Sequence, residues 1–310
     1  MKGLEVPESF SEHHQSIARE ELYFCAAIKN SEGTLPPANV RTGRARFTKG
    51  WRKTLQLPLC AASSTPDPAQ IEIWISPVDA LATAWSTDDL LTPEETSNFS
   101  RIRVADARNS ARAGRMLLRT ALSEAVCGQI APRQWRFLAL PGCKPTVTAD
   151  MPIFHFSVTH TERLAAVAIS PTLQVGIDAE TIEQTLDARV MSEFSSAREQ
   201  ETLRDLRPAE SSREFIRLWT LKEAYVKMTG RAAETDISSL DLSVHRWHYG
   251  HDTRTKSYAH FETLFFANNH GLTHLALAIG LPTRNAGEVH LQVVSLENSA
   301  HGSWQIPCIS

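Results

Sequence analysis

A strand-like run, then helical patterns, then further strand-like runs: this order occurs twice in the chain, once on each side of about residue 171, and it confines the fold to a mixed α/β class. In the first pass, IEIWIS (71–76) alternates apolar and polar residues as a strand does. TPEE (92–95) offers Thr at an N-cap, Pro at N1 and acids in the first turn of a helix. A longer helix is expected from about Asp106 to Val126, with Met116, Leu117, Ala121, Leu122 and Val126 on its apolar side, ending near Gly128. Trp135 to Leu140 reads as a strand stopped by Pro141-Gly142, and Ile153–Val158 and Leu164–Ile169 read as two more, joined by the polar THTER. In the second pass VGIDAE (175–180) is a strand, helical patterns cover 187–206 and 212–228, and strands are expected at 240–247, 260–266 and 273–280. The spacing predicts two similar α/β halves, 71–171 and 172–282, although no repeat is visible in the sequence itself. Residues 1–70 read as a partly loop-rich extension with one short helix at Ile17–Lys29, and 283–310 as a tail with one strand, Glu288–Leu296.

Composition narrows the function classes. The 310 residues are 42% hydrophobic and 22% charged, ordinary for a soluble globular protein, and a net charge of −3 gives no field for nucleic acid. The basic cluster Arg41, Arg44, Arg46, Lys49, Arg52 and Lys53 reads as solvated surface. Five scattered cysteines without a CxxC pair point to free thiols in a reducing compartment. No apolar run approaches the roughly 18 residues of a membrane span, and the first residues lack a signal-peptide core, so a cytosolic protein is expected. His245, His248 and His251 recur every third residue, but the aromatics and glycine among them argue against a metal site.

Two stretches carry charge that packing does not require. In VGIDAE a period of two sets Val175, Ile177 and Ala179 on one face and Gly176, Asp178 and Glu180 on the other. Carboxylates at i and i+2, roughly 6.6 Å apart along a strand, can converge on one divalent cation. Gly176 beside them would leave room for a ligand to approach the backbone. In FIRLWTLKEAYVKMTG (215–230), Phe215, Leu218, Trp219, Lys222 and Val226 share one helix side, with Glu223 and Lys227 four apart at its edge. A helical ion pair accounts for that spacing by itself; with Asp178 and Glu180, Glu223 makes a third hard oxygen ligand of the kind Mg²⁺ takes alongside phosphate.

VGIDAE, then FSSARE (194–199), then WTLKEAYVK (219–227), resembles in order and spacing the signature of the 4′-phosphopantetheinyl transferases, roughly (V/I)G(I/V)DxE, FxxxE and WxxKEAxxK. The length resembles the larger, monomeric Sfp-like group, whose fold sets two α/β halves in a pseudo-twofold arrangement; the likeness covers about 71–281. FSVTHT (156–161) is similar to the family's FNxSHS segment, with His160 at its phosphate-contacting histidine and Thr159 where serine is usual. Gly142-Cys143-Lys144-Pro145 resembles G(K/R)P near the adenine end of coenzyme A, with a cysteine inserted. The run 101–119 resembles the arginine-bearing helix that binds a coenzyme A phosphate; Arg108 and Arg112 are both candidates, and the usual arginine aligns as well with Ser110. Glu199 matches the second motif, and a helix-start salt bridge explains it equally well.

The resemblance implies Mg²⁺- or Mn²⁺-dependent transfer of 4′-phosphopantetheine from coenzyme A to a serine of an apo acyl or peptidyl carrier protein, releasing adenosine 3′,5′-bisphosphate. On that basis Asp178, Glu180 and Glu223 hold the metal, Lys227 and Lys222 handle phosphate, and Lys144, Pro145, Thr159, His160 and Arg108 or Arg112 bind coenzyme A. Glu223, directly or through a metal-bound water, is the general base. The competing reading is a non-catalytic coenzyme A- or carrier-binding regulator with the same fold.

Overall fold

In the computed structural model the described residues are 38–42, 45–58, 69–84, 87–182, 186–242, 250–252, 257–268, 271–281 and 286–296. The helix expected at 17–29 and most of the strand expected at 240–247, with His245 and His248, lie outside them. Among the described residues no helix is long and apolar enough to cross a membrane, and Cys127 and Cys143 are free thiols.

Described structure begins with β1 (Ala38–Thr42), β2 (Ala45–Pro58) and β3 (Ala69–Pro77), followed by α1 (Val78–Ala84), α2 (Thr87–Leu90), α3 (Pro93–Ser100) and α4 (Ala105–Ala125). Thr92 caps α3 as expected: its hydroxyl accepts from Glu95 N (3.2 Å) while Glu95 Oε2 accepts from Thr92 N (2.9 Å). Cys127 and Gly128 carry the chain out of α4 at φ 54° and 75°. A short hairpin, β4 (Phe137–Leu138) and β5 (Thr146–Val147), precedes β6 (His155–His160) and β7 (Leu164–Ser170).

After residue 171 the chain runs β8 (Val175–Thr181), α5 (Ala188–Phe194), α6 (Ala197–Arg204), α7 (Pro208–Thr229), β9 (Gly250–Asp252), β10 (Ser257–Asn268) and β11 (Gly271–Leu281). The single helical pattern at 187–206 is two helices, because Ser196 and Glu199 form a second capping box that starts α6 afresh. Gly230, left-handed at φ 68°, ends α7. β12 (Ala286–Leu296) closes the chain.

One sheet has the order β1-β2-β12-β3-β7-β6, antiparallel except for β12 beside β3. The other has the order β11-β10-β9, and β8 lies antiparallel to β11, tied at its two ends by Gly280 N→Gln174 O (2.7 Å) and Ile182 N→Leu272 O (2.8 Å). Ile73, Ala166 and Leu291 of the first sheet meet Ile177, Leu264 and Leu277 of the second in one buried cluster. On the outer faces α4 packs through Ala113, Leu117 and Ala121 on Trp74 and Val167, and α7 through Ala224, Tyr225 and Met228 on Ala276 and Ala278. The layers are therefore helix, sheet, sheet, helix, the mixed α/β class expected. β3 pairs with the second strand of the β6–β7 hairpin, and β8 lies along the second strand of the β10–β11 hairpin.

Within the segment expected to be loop-rich, 38–58 forms β1 and β2, and the strand expected at 288–296 sits between β2 and β3. Six cationic residues between 41 and 53 obscure the apolar alternation from which β2 would have been read.

Candidate active site

Everything in the site follows from how closely α7 approaches β8. A side chain on Gly176 would collide with the carbonyl oxygen of Ala224 and the backbone of Met228, so only glycine admits the helix at this height. The room expected for a ligand beside Gly176 is thus filled by α7. Two residues on, and on the same face, Asp178 meets the same helix: Lys227 Nζ donates to Asp178 Oδ1, with both side chains buried. Asp178 Oδ2 is also buried and has no hydrogen-bond partner among the described residues.

Glu180 and Glu223 are half-buried and lie near enough to Asp178 for their charges to act on it. Burial pushes the Asp178 carboxyl well above its ordinary range; Lys227 opposes the shift, and Glu223 and Glu180 add to it. Burial likewise raises Glu223, again against Lys227. The four residues expected to act together, Asp178, Glu180, Glu223 and Lys227, are together, but the spacing that allowed a Glu223–Lys227 helix pair serves a different bond, Lys227 to Asp178. A divalent cation fits the chemistry of this donor set: three carboxylates, one of them with a buried oxygen that has no partner among the described residues. As the side chains stand, no three acidic, histidine or cysteine residues among those described are close enough to hold an ion.

Two further basic residues, Lys144 and His155, lie beyond Lys227. Lys144 Nζ donates to Val175 O (2.5 Å), and its Cβ lies against Gly230, the glycine that ends α7. Burial, with Lys227 nearby, brings the Lys144 amine down to about 7. His155, half-buried at the start of β6, is lowered by burial and by Lys144. The sequence reading missed His155, although it directly precedes the FSVTHT motif. Lys144 also completes β8: with Ser157 Oγ, which accepts from Ile177 N (3.1 Å), it satisfies the strand edge turned away from β11. Pro145 follows, half-buried, after Gly142 has turned the chain at φ 72°.

Thr159 and His160, neighbours on β6, point to opposite faces. Thr159 is fully buried and its hydroxyl has no partner among the described residues. His160 is half-buried and faces α4, its ring beside Gly114. On α4 Arg108 donates to Ile102 O (2.8 Å), Arg112 lines a shallow cleft with Val78, Asn109, Ala113 and Met116, and Ser110 is turned inward onto Ala107 O.

Lys222 corrects the reading that placed it beside Lys227. Five residues apart, the two lysines differ by about 140° around the helix and cannot face one phosphate. Lys222 is buried and spends its three N–H groups on Phe194 O (3.0 Å), Ile237 O (3.1 Å) and Glu199 Oε2 (2.5 Å). Glu199 in turn accepts from Ser196 N (2.8 Å) and Leu242 N (2.9 Å), so the helix-start reading of Glu199 holds and its ion-pair partner is Lys222. A second buried polar tie missed by the sequence reading, Thr220 Oγ1 to His274 Nδ1 (2.7 Å), joins α7 to β11.

Residues 174–279, from the start of β8 to near the end of β11, match the 4′-phosphopantetheinyl transferase superfamily. The 4′-phosphopantetheinyl transferase HetI of Nostoc sp. is 31% identical over 168 residues, which span 52% of this chain and 69% of HetI. The chain belongs to the 4′-phosphopantetheinyl transferases. Similarity extends to the human L-aminoadipate-semialdehyde dehydrogenase-phosphopantetheinyl transferase, 27% identical over 50% of this chain and 55% of the human one. A 4′-phosphopantetheinyl transferase of Bacillus subtilis is 28% identical over 42% of this chain and 55% of its own length. The family match encloses the acids, Lys227 and the Lys222–Glu199 lock, whereas Lys144, His155 and His160 precede it.

Proposed function

We propose that this transferase moves the 4′-phosphopantetheine arm of coenzyme A onto a serine of an apo acyl or peptidyl carrier protein, leaving holo carrier protein and adenosine 3′,5′-bisphosphate. The observation that carries the reading is the buried Asp178–Lys227 pair, with Asp178 Oδ2 unsatisfied and Glu180 and Glu223 beside it. In the step, a bond forms between the serine oxygen and the pantetheine-side phosphorus. The bond from that phosphorus to the oxygen of the departing nucleotide breaks, and the electron pair leaves with the nucleotide. Glu223, whose carboxyl burial makes a better proton acceptor, takes the serine proton. Lys227, with Lys144 next to it, faces the charge that grows on the leaving phosphate. Asp178, Glu180 and Glu223 would hold Mg²⁺ or Mn²⁺, which supplies charge neutralisation at the pyrophosphate. His160 and Arg112, which faces an open cleft where Arg108 is engaged with Ile102 O, extend the coenzyme A site along α4. The protein acts as a monomer in the cytosol.

Incubation with coenzyme A, Mg²⁺ and apo carrier proteins from fatty acid, polyketide and nonribosomal peptide systems, read by intact mass, tests this. At least one carrier is expected to gain a single phosphopantetheine. Coenzyme A binding without loading of any carrier would defeat the catalytic reading and favour the regulator.

A further inference from the structure

The ion pair at the centre of the site has a second consequence, which rests on the proposed metal role of Asp178. A buried carboxylate is costly unless a cation neutralises it, and in this structure Lys227 is the cation on Asp178. The pair is incomplete: one carboxylate oxygen is bound, the other is buried and unsatisfied, and two further acids act on the same charge. One lysine therefore sits on an acid on which two further carboxylates act, and among the described residues no three ligands are gathered around a point. We propose that Lys227 is an internal stand-in for the divalent cation, and that coenzyme A phosphate, by drawing Lys227 off Asp178, opens the ion's place.

The geometry of α7 permits the exchange. Lys227 lies in the last turn, where the side chain has a long flexible stem and the next residues turn at Gly230 against Lys144. The amine needs only to swing from Asp178 toward the side where its charge already acts on Lys144. Glu223, one turn earlier on α7, and Asp178, on β8, then face one another without a lysine between them. Beyond the attraction between the ion and the pyrophosphate, metal and coenzyme A binding are then coupled through this side chain. By linkage the coupling is reciprocal: each ligand tightens the other by the same factor.

The test is binding of Mn²⁺, followed by its paramagnetic resonance signal at pH 8, to the whole protein with and without coenzyme A. Native protein is expected to bind Mn²⁺ between 5 and 150 times more tightly, roughly the usual range of such couplings, once coenzyme A is present. Lys227→Met and Lys227→Gln are expected to bind Mn²⁺ alone roughly tenfold more tightly than native protein, with a correspondingly smaller gain on adding coenzyme A. Native protein in which coenzyme A leaves Mn²⁺ affinity unchanged overturns the proposal without use of any variant. So do lysine variants that bind Mn²⁺ no more tightly than native protein while Asp178→Asn abolishes binding; that pattern leaves the metal site standing and removes only the stand-in. Mn²⁺ bound equally well by Asp178→Asn overturns both the stand-in and the metal assignment beneath it.

Discussion

Lys144 is an amine whose pKa burial and a second lysine bring close to neutral pH, so under the proposed function it would be a pH-sensitive contact for coenzyme A. Its pKa in the ligand-free protein is about 7, against 10.5 ordinarily, so it is charged below that point and loses its proton as pH rises. Coenzyme A affinity is expected to fall as pH rises above about 7, and Lys144→Met is expected to flatten the profile; calorimetric titrations across pH 6–9 check this. His274 has the opposite consequence, for stability. Burial, with Arg217 adding, lowers it to about 3. The unfolded chain takes up a proton near the ordinary value of 6.5 and the folded chain does not, so acid favours unfolding. His274's contribution is complete above about pH 6.5 and is lost progressively as pH falls toward 3. In His274→Gln the slope of unfolding free energy between pH 6 and 4 is expected to be shallower by up to about 1.4 kcal/mol per pH unit, read by urea melts. Asp178, Glu180, Glu223 and Lys227 could be singled out in the sequence because their types and spacing are peculiar. His155 and His274 were not, because a histidine at a strand end or on an apolar strand acquires meaning only from a partner distant in sequence.

α7 is a helix with two polar jobs on different sides. Toward β8 it carries Lys227 and the backbone that lies on Gly176; toward α5, α6 and the 237–242 loop it carries Lys222. Gly176→Ala would push the helix off the strand, and a cost of about 3 kcal/mol, with loss of transfer, is expected in urea unfolding and carrier loading. Lys222→Met breaks a buried, fully bonded ion pair and is expected to cost roughly 3–5 kcal/mol. If Lys222 is the lock described here, that variant, assayed at a temperature where it stays folded, keeps a near-native KM for coenzyme A. The helix and its apolar side were readable from period alone. The error over Lys222 was one of direction: KEAxxK places two lysines close in sequence, yet five residues of helix turn them apart. Lys222 was already grouped with Phe215, Leu218 and Trp219 on the apolar side, which is where the structure keeps it.

At the scale of the whole molecule, two sheets share a core and a long helix covers each outer face. The repeated order of strands and helices gave this class away in the sequence, because alternation of apolar periods survives even where no residue is repeated. The flanks were harder to read. β12 lies between β2 and β3, so chain segments more than 200 residues apart complete one sheet, and only pairing in space could show it. Residues 71–282 are therefore expected not to fold alone. A chain ending at 282 would lose Val289, Leu291 and Val293 from the shared core and leave β2 and β3 with open edges. Insolubility or loss of a cooperative melt is the expected result, checked by expression and circular dichroism.

The most direct test of the account is the rate of carrier-protein loading, measured by intact mass against Mg²⁺ concentration, for native protein and Asp178→Asn. Native protein is expected to load the carrier in a Mg²⁺-dependent way that chelator abolishes, and Asp178→Asn, folded by circular dichroism, to be slower by at least about a hundredfold. Loading by Asp178→Asn at near-native rate and with unchanged Mg²⁺ dependence would contradict the site assigned here.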